Sequence, residues 1–389
     1  MYLCSKNNLN TLYNMKISRI ITFVTAALCL ASCSKPQVRM TFEGFTNDTV
    51  ILFSIPVEML STATDDSAAT IDTLLIKDGR IEIAARDEAM SYIFTFKDTD
   101  DYNHNFSRRS IEFVTMPEDR LTFDVKRTEE QFEYTANGSD YVEGLADYDK
   151  FMRPISHEID RLDRGNEANW DKLSALYDVR RAKAAEWLKG NMNSPAAVYI
   201  LALEVSSETL LECYDDMLPV INSSVLRSFV ERRKSSAELA ATTKHAQENI
   251  KEGVEAPLFT LTDNLNNDVS LASFRGKWAV LDFWSTWCGY CIKGIPAMKA
   301  AYEKHKDCCE FISIDCNDSR ERWLDGLDEY QMPWVHLYNS NDMVPSENVS
   351  AIYAIQGFPT KIIITPDGLI HKIFVGESLE FYEELDAIL

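Results

Sequence analysis

Positively charged side chains are scarce in this sequence. It has 39 Lys and Arg against 61 Asp and Glu, which gives a formal net charge of −22 at pH 7. The acids are spread along the chain and form no block. Because a surface this acidic repels phosphate backbones, the composition argues against nucleic-acid binding, and we interpret the charge as a contribution to solubility.

Long apolar runs are scarce as well. The run at residues 20–30 has no charged residue, but it is shorter than the about 20 residues that a membrane-spanning helix needs. No other segment reaches that length. The run follows a basic stretch at residues 15–19 and has the length of a signal-peptide core. The pattern predicts a signal peptide over residues 1–33, with Met15 as a candidate for the true start.

The end of this run, Leu30-Ala31-Ser32-Cys33, resembles a lipobox. The resemblance implies cleavage before Cys33, a thioether-linked lipid on its sulfur and acylation of the new amine. An ordinary signal peptide followed by a chance cysteine is the alternative. Because more than one acyl chain holds a protein stably on a membrane, we expect an anchored lipoprotein of the cell envelope that faces the periplasm. Ser34, the position after Cys33, resembles that of lipoproteins sorted to the outer membrane more than that of lipoproteins kept in the inner one.

Short runs of alternating apolar and polar residues follow one another in residues 34–138. Arg80–Ile83 alternates after a turn, and Tyr92–Phe96 and Leu121–Val125 repeat the pattern. Short strands separated by turns predict an all-β domain, an antiparallel sandwich-like module. We find no catalytic constellation in it and interpret His104 as a loop residue.

The apolar spacing changes to a helical period in residues 139–252. Leu173, Leu176 and Leu188 fall on one helical face, and Ser194 followed by Pro195 is typical of a helix start. The pattern predicts a central α-helical segment of four or five helices whose apolar residues form a core. A substrate-docking role stays open, but no residue specifies one.

Strands and helices alternate in residues 253–389, which predicts an α/β domain with a central sheet. Helices are expected at residues 289–306, 318–330 and 381–389, and the first of them lies next to the cysteine motif described below. The expected strands are Trp278–Phe283, Phe311–Asp315, Lys361–Thr365 and His371–Val375.

The most specific motif lies where the first of these strands leads into that helix, and it reads Cys288-Gly289-Tyr290-Cys291. This spacing on a first helical turn brings both sulfurs within disulfide reach. Free backbone N–H groups and the helix dipole stabilise a thiolate at Cys288 and lower its pKa below the usual value of about 8.5. The thiolate is the attacking species in disulfide exchange, and Cys291 is placed to resolve the mixed disulfide.

Half of a zinc site is the competing interpretation of this motif. Zinc needs a second close pair of ligands, and the six His form no paired motif. Cys308, Cys309 and Cys316 do not repeat the spacing of Cys288 and Cys291. We therefore favour a redox-active cysteine pair over a zinc site and over a merely structural disulfide. We expect no metal and no cofactor other than the redox-active disulfide.

Several further stretches resemble those of one family. They are Ala256-Pro257-Leu258-Phe259, Phe274-Arg275-Gly276-Lys277, Phe283-Trp284 before Trp287-Cys288, Pro296, and Gly357-Phe358-Pro359-Thr360. Residues 253–389 thus resemble the TlpA/ResA-like thiol–disulfide oxidoreductases of thioredoxin fold, and residues 34–138 resemble a β-rich domain that often precedes them in envelope lipoproteins. The Trp-Cys-x-x-Cys sequence argues against a peroxiredoxin.

The resemblance implies further site residues. Pro359 is expected to be cis and to face the dithiol, while Phe358 presents its backbone to the substrate. Trp287, Gly289 and Tyr290 are expected to contact substrate. An ordinary trans proline at position 359 is the alternative.

Two positions depart from the family pattern. Gly294 stands where many relatives carry Glu, and Asp282 stands where many have Asn. A carboxyl group buried beneath the dithiol has a raised pKa and can take the proton of Cys291. We therefore hypothesise an acid–base role for Asp282; a solvent-facing Asp at a strand edge is the alternative.

These residues predict an enzyme that reduces protein disulfides in the envelope, with electrons from an upstream donor. A disulfide isomerase or oxidase is the second hypothesis, because Gly-Tyr also separates the cysteines of bacterial isomerases. A scaffolding or binding lipoprotein is the third. Cys213, Cys308, Cys309 and Cys316 receive no role in the site, and a structural disulfide among them stays open.

Overall fold

The computed structural model describes residues 36–45, 48–61, 69–96, 110–128, 132–162 and 165–389. The predicted signal segment with Cys33, and also His104, lie outside these ranges. The chain divides into two compact units, Met1–Lys234 and Ser235–Leu389. None of the helices in the described ranges is both long enough and apolar enough to cross a membrane.

The N-terminal unit begins with β-strands that build two sheets. The strands are Val38–Glu43 (β1), Thr49–Pro56 (β2), Thr70–Leu75 (β3), Arg80–Ile83 (β4), Met90–Phe96 (β5), Ser110–Thr115 (β6), Leu121–Arg127 (β7) and Phe132–Asn137 (β8). The sheets have four strands each, in the orders β4-β1-β7-β8 and β3-β2-β5-β6. Short 3₁₀ helices lie elsewhere in the chain at Val57–Ser61, Glu167–Asn169 and Leu271–Phe274.

The alternation seen in the sequence places one face of each sheet in a shared core. In β7, Leu121, Phe123 and Val125 are buried and their neighbours are exposed, as the two-residue period of a strand requires. The rings of Phe113 in β6 and Phe123 in β7 lie 4.7 Å apart and join the two sheets. The predicted sandwich-like module is confirmed, although β1 and β7 pair in parallel.

In the described residues six α-helices follow the strands, more than the four or five predicted. They are Asp140–Asp160 (α1), Trp170–Gly190 (α2), Pro195–Leu203 (α3), Ser207–Cys213 (α4), Leu218–Ser223 (α5) and Arg227–Asn249 (α6). The Ser194 hydroxyl caps α3 by accepting a hydrogen bond of 3.3 Å from the Ala196 N–H, as the Ser-Pro pair predicts. Strands and helices as far as Val230 share one hydrophobic cluster. The domain boundaries expected at residues 138 and 252 stay predictions.

The C-terminal unit contains a seven-stranded sheet in the order β10-β9-β13-β12-β11-β14-β15, which confirms the predicted α/β thioredoxin-like fold. Its elements are Thr260–Asp263 (β9), Asp268–Ser270 (β10), Trp278–Trp284 (β11), Gly289–His305 (α7), Cys309–Cys316 (β12), Arg320–Tyr330 (α8), Val335–Asn339 (β13), Val349–Ile352 (α9), Thr360–Ile364 (β14), Ile370–Val375 (β15) and Leu379–Ile388 (α10). The short strands β9, β10 and β13 and helix α9 are additional to the predicted elements.

Strand β11 lies inside this sheet, between the parallel β12 and the antiparallel β14. It is buried almost throughout, which is expected of a strand covered on both faces. Leu281 and Phe283 belong to one hydrophobic cluster, whereas Val280 and Trp284 belong to the cluster that contains the two motif cysteines. By the two-residue period, Asp282 lies on the same face of the sheet as that second cluster.

Candidate active site

Cys288 and Cys291 form a disulfide at the start of α7, with their Cα atoms 5.3 Å apart. Cys288 is the N-cap of the helix, and its Sγ accepts a hydrogen bond of 3.2 Å from the Cys291 N–H. Helix N-termini carry N–H groups without helical partners and the positive end of the dipole. Both features stabilise a thiolate at Cys288 once the disulfide is reduced.

The residues between β11 and the cysteines are held by the segment that follows β12. The Ser285 hydroxyl donates to the carbonyl oxygen of Cys316. Asp318, which is only 2% exposed, accepts hydrogen bonds from the Thr286 N–H at 2.7 Å and from the Thr286 hydroxyl at 2.9 Å. The ends of two parallel strands therefore position the entry to the motif. Asp318 is not among the site residues predicted from the sequence, whose pattern places it at the start of a helix.

Exposed aromatic side chains surround the buried cysteines. Cys288 and Cys291 are each 6% exposed, whereas Trp287 is 52% exposed and Tyr290 is 70% exposed. The adjacent Gly289 is also exposed, and a Cβ added there would meet no atom within 4 Å. A partner that reaches the disulfide would therefore meet an apolar rim.

The loop before β14 contributes to the same rim. The Phe358–Pro359 peptide bond is cis, as expected. The Phe358 ring lies 5.8 Å from the Trp287 ring in an edge-to-face arrangement. Phe358 also packs on the hydrophobic cluster that contains both cysteines. The structure thus brings together Trp287 and Phe358, which are 71 positions apart in the sequence.

Asp282 is a buried carboxyl group, with 9% of its surface exposed, so the solvent-facing alternative is wrong. Its Oδ2 accepts a hydrogen bond of 2.9 Å from the Ser313 hydroxyl on β12, and its Oδ1 lies 3.9 Å from Nζ of Lys361 on β14. Burial raises the pKa of Asp282, and the Lys361 charge and the Ser313 hydrogen bond offset part of that rise.

Lys361 connects this carboxyl group to a second acid. The residue is 3% exposed, and its Nζ lies 2.6 Å from Oε2 of Glu377, in the segment between β15 and α10. The Tyr382 hydroxyl donates a hydrogen bond of 2.7 Å to Glu377 Oε1. Lys361, Glu377 and Tyr382 are not among the site residues predicted from the sequence. A lone Lys within the apolar run Thr360–Ile364 was a usable signal for Lys361, because a buried cation needs a partner.

The other four cysteines in the described ranges are unpaired, so the disulfide left open among them is absent from this structure. Cys308 is exposed, whereas the other three are buried. Burial raises the pKa of Cys309 to about 12 and also raises the pKa of Cys213 and Cys316. Buried thiols with raised pKa values are poor nucleophiles.

The described residues contain no group of three or more His, Cys, Asp or Glu that could hold a metal ion. The expectation of a metal-free and cofactor-free site stays a prediction.

Comparison with known proteins adds sequence relatives to this geometry. Residues 253–373 match the AhpC/TSA family. The thiol-disulfide oxidoreductase ResA of Bacillus anthracis is 27% identical over 144 residues, which are 37% of this chain and 79% of that protein. The thioredoxin-like protein YneN of Bacillus subtilis is 27% identical over 153 residues, which are 38% of this chain and 86% of that protein.

The chain is also similar in part to solved structures. The thioredoxin domain of a thiol-disulfide oxidoreductase from Bacteroides vulgatus is 27% identical, with a TM-score of 0.33, and the match covers 36% of this chain and 98% of that one.

Proposed function

We propose, from the premise that the C-terminal unit holds a thioredoxin-like thiol–disulfide oxidoreductase domain, that the protein reduces disulfides of other proteins through Cys288 and Cys291. One observation carries the proposal: the two cysteines form a disulfide at a helix N-terminus, where Cys288 Sγ accepts a backbone N–H. This is the arrangement that disulfide exchange requires of an attacking and a resolving sulfur.

The reaction proceeds in two exchanges. The Cys288 thiolate attacks one sulfur of a substrate disulfide, the substrate S–S bond breaks, and the other substrate sulfur leaves as a thiolate that takes a proton. Cys291 then gives its proton to the Asp282 carboxylate and attacks Cys288 Sγ. The second substrate sulfur leaves, two electrons have passed to the substrate, and the protein ends with the Cys288–Cys291 disulfide.

The exposed rim supports a protein as substrate. The exposed Trp287 and Tyr290 and the half-buried Phe358 offer apolar area beside a disulfide that is itself buried, and Gly289 leaves the approach open. Aromatic side chains supply much of the binding energy at protein interfaces. Pro359, next to Phe358, is proposed to orient this loop toward the dithiol.

Measurement of the reduction potential of the Cys288–Cys291 pair would test the direction of electron flow. For a reductase we expect a potential near that of thioredoxin, about −270 mV, with an upstream thiol donor that restores the dithiol. A potential nearer −120 mV would instead make the protein an oxidase of folding proteins.

The place of action is proposed from the N-terminal sequence. The apolar run at residues 20–30 and the lipobox-like end at Cys33 support export and lipid anchoring at the periplasmic side of a membrane, with the outer membrane favoured. Metabolic labelling with a palmitate analogue tests this: Cys33→Ser should abolish the label, and a labelled Cys33→Ser protein would contradict the anchor.

A Cys291→Ser variant of the full chain tests the enzymatic proposal. Without the resolving sulfur, Cys288 should retain substrates as mixed disulfides that a reductant releases. Cys308→Ser is the matched control because Cys308 is an exposed cysteine outside the motif, and it should not change the trapped set. The proposal fails if the Cys291→Ser variant holds no more partners than a Cys288→Ser/Cys291→Ser double variant.

A further inference from the structure

The carboxylate of Glu377 lies where a side chain at position 294 would be. Gly294 is buried on α7, and a Cβ added there would lie 2.6 Å from Cδ of Glu377 and closer still to Oε2. Real Cβ atoms do not approach other atoms so closely, so the carboxylate of Glu377 fills the volume that any side chain at position 294 would take. Only glycine at position 294 admits Glu377 in this position.

This volume lies next to the resolving sulfur. Gly294 is three positions after Cys291 on the same helix, and residues so spaced lie on one face with Cβ atoms about 5 to 6 Å apart. Both residues are buried. A carboxylate that takes the place of a side chain at position 294 is therefore a neighbour of Cys291, although it is supplied by a distant segment.

Glu377 also competes with Asp282 for one cation. Lys361 Nζ lies 2.6 Å from Glu377 Oε2 but 3.9 Å from Asp282 Oδ1. The Tyr382 hydroxyl, donating to the other oxygen of Glu377, fixes the carboxylate in that position. The Lys361 charge is thus shared unequally, and the shorter ion pair belongs to Glu377.

Among the described residues, the other groups around Asp282 carry no positive charge that could stabilise its ionised form as Lys361 does. Ser313 donates a neutral hydrogen bond to Asp282, and Cys316 and Tyr382 hold their protons because burial raises the pKa of each. The cysteine pair of α7 belongs to the hydrophobic cluster on the face of β11 that Asp282 shares, and it exchanges protons only when reduced.

We propose that Glu377 is a positioning residue of the dithiol reaction: seated in the space left by Gly294, it holds the Lys361 ammonium away from full pairing with Asp282 and so keeps Asp282 able to accept the Cys291 proton. The inference rests on the proposed function, because it assigns Asp282 the proton that Cys291 loses when it resolves the mixed disulfide. Glu377 itself exchanges no proton in this step.

Removal of the Glu377 charge has one expected direction. Lys361 is then free to pair with Asp282, and the repulsion between the two carboxylates is lost. Both changes favour ionised Asp282, so the pH at which Asp282 becomes an effective base should fall by on the order of one unit.

The second exchange can be followed without a protein substrate. Reduced full-length protein is mixed with dithiobis-nitrobenzoate, so that Cys288 forms a mixed disulfide with thionitrobenzoate and Cys291 then displaces it. The rate of the second release of thionitrobenzoate is measured against pH, and Cys291→Ser provides the blank for the other thiols. We expect the midpoint of this profile to move down by about one pH unit in Glu377→Gln and to vanish in Asp282→Asn.

Two further variants separate positioning from a structural role. Gly294→Ala should move the midpoint as Glu377→Gln does, because its methyl group displaces the carboxylate, and it should have no further effect in a Glu377→Ala background. Glu377→Gln should also have no effect in an Asp282→Asn background. A wild-type midpoint in Glu377→Gln, or a shift that persists without Asp282, would overturn the inference. If the wild type shows no second release at all, the proposed dithiol function itself fails.

Discussion

The Asp318 carboxylate accepts two hydrogen bonds from Thr286, at 2.7 Å from the backbone N–H and at 2.9 Å from the hydroxyl. The two residues follow neighbouring parallel strands, β11 and β12, and Thr286 lies two positions before Cys288. The contact ties the start of the cysteine motif to the end of the adjacent strand. Trp287 and Cys288 therefore depend on a residue from a different element for their placement.

Asp318→Ala should destabilise the C-terminal unit by about 2 to 4 kcal/mol, because it removes two charge-assisted hydrogen bonds and leaves the partly buried Thr286 N–H without this acceptor. Urea unfolding measures the change in the free energy of unfolding. Asp325→Ala, at an exposed position of α8, is the control and should change the free energy by less than about 0.5 kcal/mol. Equal losses in the free energy of unfolding from the two substitutions would show that the hydrogen bonds of Asp318 to Thr286 do not stabilise the fold.

Asp315 should make the protein less stable as pH rises. It is fully buried, and burial together with the neighbouring Asp318 carboxylate raises its pKa to about 9. The unfolded chain loses this proton at a pH of about 4, so between about pH 4 and about pH 9 the folded state binds more protons, and stability falls with rising pH.

Asp315→Asn removes this ionisation while keeping the size of the side chain. We expect it to flatten the decline and to raise stability at neutral pH by about 2 to 4 kcal/mol. Urea unfolding at a series of pH values gives the slope. A slope that is identical in wild type and Asp315→Asn would contradict the assignment.

Ser313→Ala should move the pH midpoint of Cys291 resolution upward, opposite to Glu377→Gln. The substitution removes the 2.9 Å hydrogen bond that stabilises ionised Asp282, so the pKa of that carboxyl rises further. The Trp334 Nε1–H, which donates to the Ser313 hydroxyl at 2.8 Å, loses its acceptor at the same time. Trp334→Phe is the control because it removes that donor and leaves the Ser313–Asp282 hydrogen bond intact. The same upward shift of the midpoint in Trp334→Phe would show that loss of the hydrogen bond to Asp282 is not its cause.

Tyr290→Ala should weaken the use of protein substrates without altering the chemistry of the dithiol. Tyr290 is 70% exposed beside the disulfide, so the substitution removes contact area and little folding energy. We expect KM for a protein disulfide to rise by roughly fivefold, whereas release of thionitrobenzoate stays unchanged. Leu265→Ala, at an apolar position that is 74% exposed, is the matched control. An unchanged KM in Tyr290→Ala would remove this residue from the substrate surface.

Phe113→Ala should destabilise the N-terminal unit by about 3 to 5 kcal/mol, because the buried ring joins its two sheets through contact with Phe123. Ile71→Ala, at a position that is 45% exposed, should cost far less. Calorimetric unfolding compares the two variants. A small loss in Phe113→Ala would mean that the contact between the sheets contributes little.

Much of the fold was accessible from local patterns. Strand alternation predicted β4 without error at Arg80–Ile83, and the Ser-Pro pair predicted the start of α3. The cysteine spacing, set at the end of a buried strand, predicted a pair within bonding reach at a helix N-terminus. These predictions succeed because they depend on backbone geometry and side-chain period, which neighbouring residues determine.

Contacts between distant segments were not accessible in this way. The parallel pairing of β1 with β7 leaves no mark on the alternation of either strand, since antiparallel and parallel partners bury the same face. The unequal sharing of Lys361 between Asp282 and Glu377 depends on side chains from three segments. No spacing rule connects these residues, because sheet register and helix packing bring them together.

Gly294 illustrates both what the amino-acid sequence specifies and what arises only in the folded protein. Its identity, and its departure from the Glu that many relatives carry, can be read from the residues alone, as can the chemistry of Cys288 and Cys291. That the vacant volume at Gly294 is filled by Glu377 follows only from packing the segment after β15 against α7. Short-range chemistry names the reacting sulfurs, whereas close packing of segments far apart in the chain selects the carboxylates that surround them.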